Sequence, residues 1–412
     1  MSEFSLRKQI ESRDDIRLMD RDSNFDLDLF CYTNCNNESE EIIKQSRGVV
    51  FNKDTLIMKA FSYTDEYSGD QIDQIESLFH GFNFTKYKFF DSYEGSLLRL
   101  FFYKGKWFLT THKKLDAFKS KWSSRESFGV HFVEAIETEI KNNEDLRQVL
   151  PPGEDVLDRF FATLDTNNQY MFLILTRHEN RIVCDAFQQP KVLHVGTFVD
   201  GCLDLNYNIH VSRPESKRFL NIDELVHYIE SCDHKKTQGV ICFGENNRQV
   251  KIVNSKYRQK FLIRGNEQSI KYRYLQLRSD RDQVDVLKEM YPEYIKDFER
   301  YENTLIEVAK SIHVSYQSRY INREPTFVYK PKFLVMKACH EWHCFDRKNN
   351  RVSLKQIINE LNKQSPTSLN LMIKNHNSPK KFYEPEPLLR GSFNPFAMDA
   401  PPIREPRTLQ LN

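Results

Sequence analysis

A succession of short apolar segments is the feature that most constrains the fold. Between residues 47 and 253, eight runs rich in β-branched and aromatic residues are bounded by turn residues, a pattern typical of strands. The runs are RGVVFN (47–52), LLRLFFY (97–103), KWFLTTH (106–112), YMFLILT (170–176), RIVCDAF (181–187), KVLHVGTFV (191–199), GVICFG (239–244) and RQVKIV (248–253). The tight Lys104-Gly105 link predicts a hairpin over 97–112.

Two segments within this strand-rich part have helical periodicity. Residues 128–142 place Phe132, Ile136 and Ile140 on one helical face. Residues 221–231 form a second candidate, with Asn221 or Asp223 near its N-terminus as the cap. Strands and helices together predict an α+β domain built on antiparallel sheets, over residues 1–265.

The composition changes near residue 270. Over residues 283–320 apolar side chains recur at steps of mostly three and four, and Pro292 fits the first turn of the longer helix. Such a stripe is more typical of a core than of a ligand site. A further helix is predicted over 353–364, with Ser353 as its N-cap. These patterns predict a mainly helical domain over residues 266–375.

The last stretch, residues 376–412, reads as an extended tail. From Pro379 onward it holds seven of the fifteen prolines in the chain and has no helical or strand period. Disorder is the simplest interpretation. The tail nevertheless carries apolar and aromatic side chains that are unusual for a linker, and these favour attachment to the body of the protein or to a partner. The residues are Phe382, Tyr383, Leu388, Leu389, Phe393, Phe396 and Met398.

Composition excludes several classes of protein. Hydrophobic content of 39% and charged content of 29% are typical of a globular protein, and no apolar run approaches the roughly 18 residues of a membrane span. The polar N-terminus does not resemble a secretory signal. A net charge of +2 is too balanced to indicate nucleic acid by itself. We therefore expect free thiols and a cytoplasmic location.

The segment CHEWHC, from Cys339 to Cys344, has metal-ligand residue types but no second ligand pair at finger spacing. We expect a strand or turn with partly buried side chains there, and we expect no metal site.

Five short landmarks occur in a fixed order. They are SRGVVFN (46–52), SYEGS (92–96), ENRIV (179–183), TQGVICF (237–243) and QVKIV (249–253). This ordered set resembles the covalent nucleotidyltransferase superfamily, with its ATP-grasp-like ligase domain, and most closely the ATP-dependent RNA ligases of the phage tRNA-repair type. The resemblance covers roughly residues 40–260. It implies a nucleotidyltransferase domain followed by a helical domain.

The resemblance also implies a multi-step chemistry. In that family a lysine in a Lys-x-Asp-Gly-Ser motif attacks the α-phosphate of ATP and carries the AMP, which then passes to a 5′-phosphate end. The lysine must be deprotonated to act as a nucleophile. Carboxylates hold the divalent ion, and further lysines stabilise charge that grows on the phosphate.

Five positions of this chain depart from the family pattern. Ser92 stands where the lysine is expected, and Glu94 replaces the aspartate of the motif, which is a tolerable change. Ile174 and Gln238 stand where glutamates are expected, and Val253 replaces the second lysine of the last motif. The retained positions are Arg47, Gly48, Phe51, Gly95, Ser96, Gly239 and Lys251. Residues that the fold needs are thus kept, while those that the chemistry needs are lost.

Three hypotheses follow. The first is a catalytically inactive relative that serves as a scaffold, with the tail as an attachment arm; because ligase relatives recur in large DNA viruses, a viral particle is one version. The second is an RNA-binding pseudo-ligase, with Arg47, Lys251, Arg258 and Lys260 on phosphates. The third is an active ligase with a displaced nucleophile, and only this one needs ATP and magnesium.

Overall fold

The chain has an α+β architecture with two compact units, Met1–Glu302 and Asn303–Asn412. The computed structural model describes residues 3–59, 61–79, 84–175, 177–244 and 248–378. All but the first three residues of the predicted tail, 376–412, lie outside the described residues. The two units divide after residue 302. The domain boundary predicted near residue 265 stays a prediction.

The described part of the first unit contains fourteen strands in three sheets. The strands are β1 (Ile16–Asp22), β2 (Leu27–Tyr32), β3 (Arg47–Asn52), β4 (Thr55–Met58), β5 (Asp65–Ser68), β6 (Lys88–Ser92), β7 (Gly95–Tyr103), β8 (Lys106–Thr110), β9 (Gln169–Leu175), β10 (Val192–Val199), β11 (Cys202–Asp204), β12 (Ser216–Lys217), β13 (Gly239–Phe243) and β14 (Gln249–Val253).

The three sheets differ in composition and pairing. The N-terminal sheet has the order β1-β2-β3-β4, and the antiparallel sheet has the order β11-β10-β9-β7-β8. The mixed sheet has the order β12-β6-β13-β14-β5, and its β5–β14 edge is parallel. Strands β7 and β8 form the predicted hairpin, in which Lys104 and Gly105 both take positive φ, as a two-residue turn of this kind requires.

Helices cover the sheets and make up the described part of the second unit. They are α1 (Glu3–Glu11), α2 (Glu41–Gln45), α3 (Ile72–Phe79), α4 (Phe128–Asn142), α5 (Glu144–Val149), α6 (Val156–Phe161), α7 (Ile222–Ser231), α8 (Ser255–Arg264), α9 (Ile270–Leu277), α10 (Arg281–Met290), α11 (Ile295–Tyr316), α12 (Lys330–Phe345), α13 (Leu354–Asn362) and α14 (Pro366–Asn377). No helix in the described ranges is long and apolar enough to cross a membrane.

The helix ends follow their sequence signals. The Asn221 side chain accepts from the backbone N–H of Glu224 at the start of α7, and Ser353 caps α13 in the same way. Pro292 begins a short 3₁₀ turn just before α11, where its missing N–H costs no hydrogen bond.

The main core lies between α4 and the antiparallel sheet. Phe132 of α4 is fully buried, and its ring centroid lies 5.2 Å from that of Phe172 on β9. Phe160 of α6 packs on both rings. The apolar face predicted for residues 128–142 therefore covers the sheet that forms one wall of the cleft described below.

Two local predictions were wrong. Residues 181–187 form no strand, because the backbone N–H groups of Ile182, Val183 and Cys184 donate to the Glu94 carboxylate instead of to a neighbouring strand. The CHEWHC segment is neither strand nor turn but the last part of α12. Pro331 lies in the first turn of that helix, and the buried side chains of the helix are Val335, Met336 and Cys339.

Replacing Phe132 with Ala should lower the free energy of unfolding of the first unit by about 3–5 kcal/mol, because it empties the centre of the core. Urea unfolding followed by circular dichroism measures the change. Leu220→Ala is the control, because Leu220 is 86% exposed, and it should change stability by less than about 0.5 kcal/mol. Equal effects of the two substitutions would contradict this description of the core.

Candidate functional site

A cleft of about 680 Å³ is lined from both five-stranded sheets. The mixed sheet contributes Phe90 and Ile241, and the antiparallel sheet contributes Leu97 and Leu173. We call this space the central cleft. Five of the predicted site residues line it: Arg47, Ser92, Gly95, Gln238 and Lys251.

Strand pairing brings three predicted site residues into one row. Gly239, the first residue of β13, lies opposite Ser92 of β6 on one side and opposite Val253 of β14 on the other. Gly239 has φ of +140°, and a Cβ atom there would lie 2.3 Å from the carbonyl oxygen of Ile252. The glycine is therefore required by close backbone contact.

A chain of hydrogen bonds runs from Ser92 through three further side chains. Ser92 Oγ donates to Gln238 Oε1 at 3.0 Å, and Gln238 Nε2 donates to the Tyr257 hydroxyl at 2.8 Å. The Tyr257 hydroxyl donates to Glu94 Oε2 at 3.2 Å. Ser92 and Gln238 line the central cleft, whereas the described residues of its lining do not include Tyr257 or Glu94. The chain links the cleft wall to the interior.

The Glu94 carboxylate is held by the backbone and turned away from the cleft. It accepts the N–H groups of Ile182, Val183 and Cys184, the last two at 2.9 and 3.1 Å. Only 4% of Glu94 is exposed. Burial raises the pKa of its carboxyl group, although the backbone donors and Tyr257 partly offset that effect. A carboxylate engaged in this way is not available to a metal ion in the cleft.

The antiparallel sheet presents Leu173, not Ile174, to the central cleft. Ile174 points to the opposite face and belongs to the core cluster with Phe132 and Phe172. Successive residues of a strand face opposite sides, so the predicted site residue Ile174 lies in the core and its neighbour Leu173 lines the cleft. Leu173 directly follows the aromatic Phe172, and like isoleucine it has no metal ligand to offer.

The retained lysine of the mixed sheet is paired with an acid. Lys251 Nζ forms an ion pair with Glu66 of β5, and Arg258 also binds Glu66, at 2.6 Å. Lys251 and Glu66 line the central cleft. Val253 is fully buried beside Gly239. Lys260 lies elsewhere and pairs with Glu289 at 2.9 Å.

Arg47 lines the central cleft from the start of β3, an inner strand of the N-terminal sheet. Its Nη1 atom donates to the Ser62 carbonyl at 3.2 Å. The backbone at Arg47 and Gly48 accepts from the fully buried Arg99 guanidinium. Gly48 has φ of +80°, and a Cβ atom there would overlap Arg99 and His112. The arginine-glycine pair thus holds β3 against β7 through Arg99. Gly95 starts β7 in equally close contact with the Ile174 carbonyl.

Three lysines line the central cleft: Lys88, Lys217 and Lys251. The position where the resemblance expects the nucleophilic lysine holds Ser92. Lys88 lies at the other end of β6, about 13 Å away along the strand. Lys217 pairs with Glu215 at 2.6 Å and with Asp91 at 3.4 Å. Burial by itself would lower the pKa of Lys217, but its hydrogen bonds to Glu215 and Tyr228 and the charge of Asp91 raise it. A lysine held protonated is a poor nucleophile.

Sequence reasoning missed several residues of the cleft. Glu66 was not considered, although it neutralises Lys251. Arg213, Lys217 and Arg218 were also missed, and the only signal for them is the cluster of cationic residues in RPESKR (213–218). In total, six cationic side chains and two carboxylates line the cleft. The site therefore favours an anionic ligand.

The described residues do not fit the ATP–magnesium chemistry that the resemblance implies. The two carboxylates that line the cleft, Glu66 and Asp91, are both paired with cationic side chains. Within the described ranges, no group of three or more His, Cys, Asp or Glu residues is arranged to hold a metal ion. A divalent ion between phosphates needs free oxygen ligands, and the cleft supplies cations instead.

Comparison with known proteins shows relatives in viruses. The chain matches no protein-family model. It is 27% identical over 409 residues to "Immediate-early protein ICP-46 homolog" of Invertebrate iridescent virus 6, which covers 92% of this chain and 86% of that protein. It is 28% identical over 204 residues to "Immediate-early protein ICP-46" of Frog virus 3 (isolate Goorha), which covers 46% of this chain and 49% of that protein.

Solved structures with some likeness are ligases. A putative ATP-dependent DNA ligase from Aquifex aeolicus matches with a TM-score of 0.40 and 11% identity, over 76% of this chain and 80% of that one. An archaeal ATP-dependent RNA ligase matches with a TM-score of 0.40 and 9% identity, over 74% and 79% of the two chains. At this level of similarity, the matches determine nothing about activity.

Replacing Tyr257 with Phe should lower the free energy of unfolding by about 1–3 kcal/mol, because Glu94 loses a donor and the Gln238 amide loses its acceptor in a buried place. Denaturant unfolding measures the loss. Tyr93→Phe is the matched control, since Tyr93 is half-buried at the cleft, and it should change stability by less than about 0.5 kcal/mol. If Tyr257→Phe is as stable as Tyr93→Phe, the hydrogen-bond chain is not a structural element.

Proposed function

We propose that this chain is a catalytically inactive, RNA-ligase-like protein that acts by binding and not by adenylyl transfer. The observation that carries the proposal is the hydrogen-bond chain from Ser92 through Gln238 and Tyr257 to Glu94. It occupies the place where the resemblance expects a lysine nucleophile and carboxylates. A serine hydroxyl that donates to an amide oxygen has no adjacent base to activate it.

The positions expected to hold a metal support the same proposal. Glutamates are expected at Ile174 and Gln238, but Ile174 lies in the core, its neighbour Leu173 lines the cleft, and Gln238 carries no charge. The Glu94 carboxylate is used by the loop at 182–184. Restoring a single residue would therefore not restore the chemistry. We propose that the protein needs neither ATP nor magnesium for its role.

We propose a scaffold role for the inactive protein, in the cytoplasm or within a viral particle. The tail from Pro379 to Asn412 would serve as the arm that attaches it to other proteins. The viral setting rests on the similarity to proteins of iridescent viruses. The attachment role rests on the apolar and aromatic composition of the tail.

RNA binding is a second candidate function, favoured by the lining of the central cleft. Six cationic side chains lie there together with aromatic residues such as Phe61, Tyr63 and Phe90. Cationic groups bind the phosphate backbone, and aromatic rings stack on bases of a single strand. Of the four residues predicted to contact phosphates, Arg47 and Lys251 line the cleft, whereas Arg258 and Lys260 are not among its lining residues.

Labelling tests the loss of catalysis. Incubation of the wild-type protein with α-labelled ATP, or with α-labelled GTP, in magnesium or manganese should leave no covalent label after denaturation, while an active RNA ligase labels in parallel. Ser92→Lys should also remain unlabelled, because Leu173 and Gln238 cannot hold the metal ion. A stable label on the wild-type protein would show that another lysine is the nucleophile.

Binding of a 5′-phosphorylated single-stranded RNA tests the second candidate. Fluorescence anisotropy over a range of salt should show weaker binding for Arg47→Gln and for Lys251→Gln, and each change should reduce the salt slope by about 0.7. Lys260→Gln is the control, because that lysine lies outside the cleft and pairs with Glu289. If the wild-type protein does not bind the RNA, or if all three variants bind it with the same affinity, RNA binding by the cleft is contradicted. The scaffold role is then the one remaining candidate function.

A further inference from the structure

Two reactive side chains meet on one face of α12, in the second unit. His340 and Cys344 are four residues apart, so they lie one helical turn from each other. The Cys344 sulfur lies 3.5 Å from His340 Nε2. Cys344 is exposed to solvent, and His340 is half-buried. A thiol and an imidazole in this arrangement are a nucleophile and its base.

The imidazole of His340 is fixed in place by two tyrosines. The Tyr316 hydroxyl lies 3.3 Å from His340 Nδ1. The ring of Tyr320 stacks on the imidazole, with centroids 3.7 Å apart and planes inclined by 15°. When Nδ1 carries the hydrogen and donates to the Tyr316 oxygen, Nε2 is free to accept the thiol proton. The same hydrogen bond then stabilises the imidazolium that results.

The stacking tyrosine belongs to an unusual backbone segment. Helix α11 continues past Tyr316 into a π-helical turn, Gln317–Ile321, which contains Tyr320. A π turn widens the helix and is frequent at functional sites. Here the turn carries Tyr320, which stacks on the imidazole, and it directly follows Tyr316, whose hydroxyl contacts Nδ1.

Burial and the surrounding charges keep His340 in its neutral form. Burial lowers the pKa of His340, as do the charges of His343 and Arg347, while Glu341 opposes them. The imidazole is therefore neutral and able to accept a proton. An Arg347 amino group lies 4.0 Å from the Cys344 sulfur.

The other cysteine of the same helix shows the contrast. Cys339 is fully buried, and burial raises the pKa of its thiol to about 11. An uncharged, enclosed thiol of this kind is unreactive. Cys339 therefore does not resolve a disulfide formed at Cys344, and a product formed there would persist.

We infer that Cys344 is a modification site that forms a mixed disulfide with a small soluble disulfide, with His340 as the base. The thiol proton passes to His340 Nε2, and the thiolate attacks one sulfur of the small disulfide. A new bond forms between Cys344 and that sulfur as the original S–S bond breaks. The leaving thiolate takes the proton from the imidazolium. The cysteine is oxidised, and the small disulfide is the oxidant.

The test uses the full-length, reduced protein and glutathione disulfide as the probe. Peptide mass spectrometry measures the rate of mixed-disulfide formation at Cys344 and at Cys202 at pH 7. Cys202 is the matched control, because it is also exposed but has no recorded histidine contact in the described part of the chain. We expect Cys344 to react about tenfold faster, since a histidine nitrogen lies within reach of its thiol proton.

Two variants separate the roles of the neighbours. His340→Phe keeps an aromatic ring for Tyr320 to stack on, and it should reduce the rate at Cys344 to that of Cys202. Tyr316→Phe should reduce the rate several-fold, because it removes the hydrogen bond that orients His340. Circular dichroism checks that both variants fold. Equal rates at Cys344 and Cys202 in the wild type, or an unchanged rate in folded His340→Phe, would overturn the inference.

The pH dependence of the wild-type rate decides the question if His340→Phe does not fold. A pH profile at Cys344 that follows the profile at Cys202 would also overturn the inference, whereas a rate at Cys344 that rises at lower pH than the rate at Cys202 supports it. The groups that face the pair are Glu341, His343 and Arg347 on and after α12, and Tyr316 and Tyr320 on and after α11.

Discussion

The Glu94 carboxylate organises the interior of the first unit. On one side it accepts three backbone N–H groups from the loop at 182–184, and on the other it accepts the hydroxyl of Tyr257 from α8. The far side of the same loop is fixed by Tyr291, whose hydroxyl donates to the Ile182 carbonyl at 2.6 Å. A strand junction, a loop and two helical segments are thus tied to one buried group. Burying a carboxyl is costly, and four donors are what make it tolerable.

The role of Glu94 is structural, and so is that of the glycines around the cleft. The glycines at 48, 95 and 239 are set by close backbone contacts, which any sequence with these strand pairings must satisfy. The side chains of Leu173 and Gln238 fill wall positions without charge. Fold and chemistry therefore impose separate demands on neighbouring residues.

Within the described residues, the sequence predicted seven of the fourteen strands and five of the fourteen helices, because those signals are local. The hairpin at 97–112, helix 128–142 and the cap at Asn221 each depend on a few adjacent residues. The errors arose where distant groups decide. Residues 181–187 have a strand composition, but a carboxylate almost ninety residues earlier takes their N–H groups. Ile174 and Leu173 are both apolar, so composition could not set which one faces the cleft. The pairing of Lys251 with Glu66 depends on a strand contact across most of the first unit.

The parallel edge of the mixed sheet has a consequence for biosynthesis. Strand β5 (65–68) has its partner in β14 (249–253), so some 180 residues must be made between the two. Contacts this far apart in sequence form slowly, because the loop must close before they contribute stability. During translation, one wall of the cleft stays unfinished until the chain beyond residue 253 has left the ribosome. Until then β5 carries an unpaired edge, which makes early folding intermediates a target for chaperones.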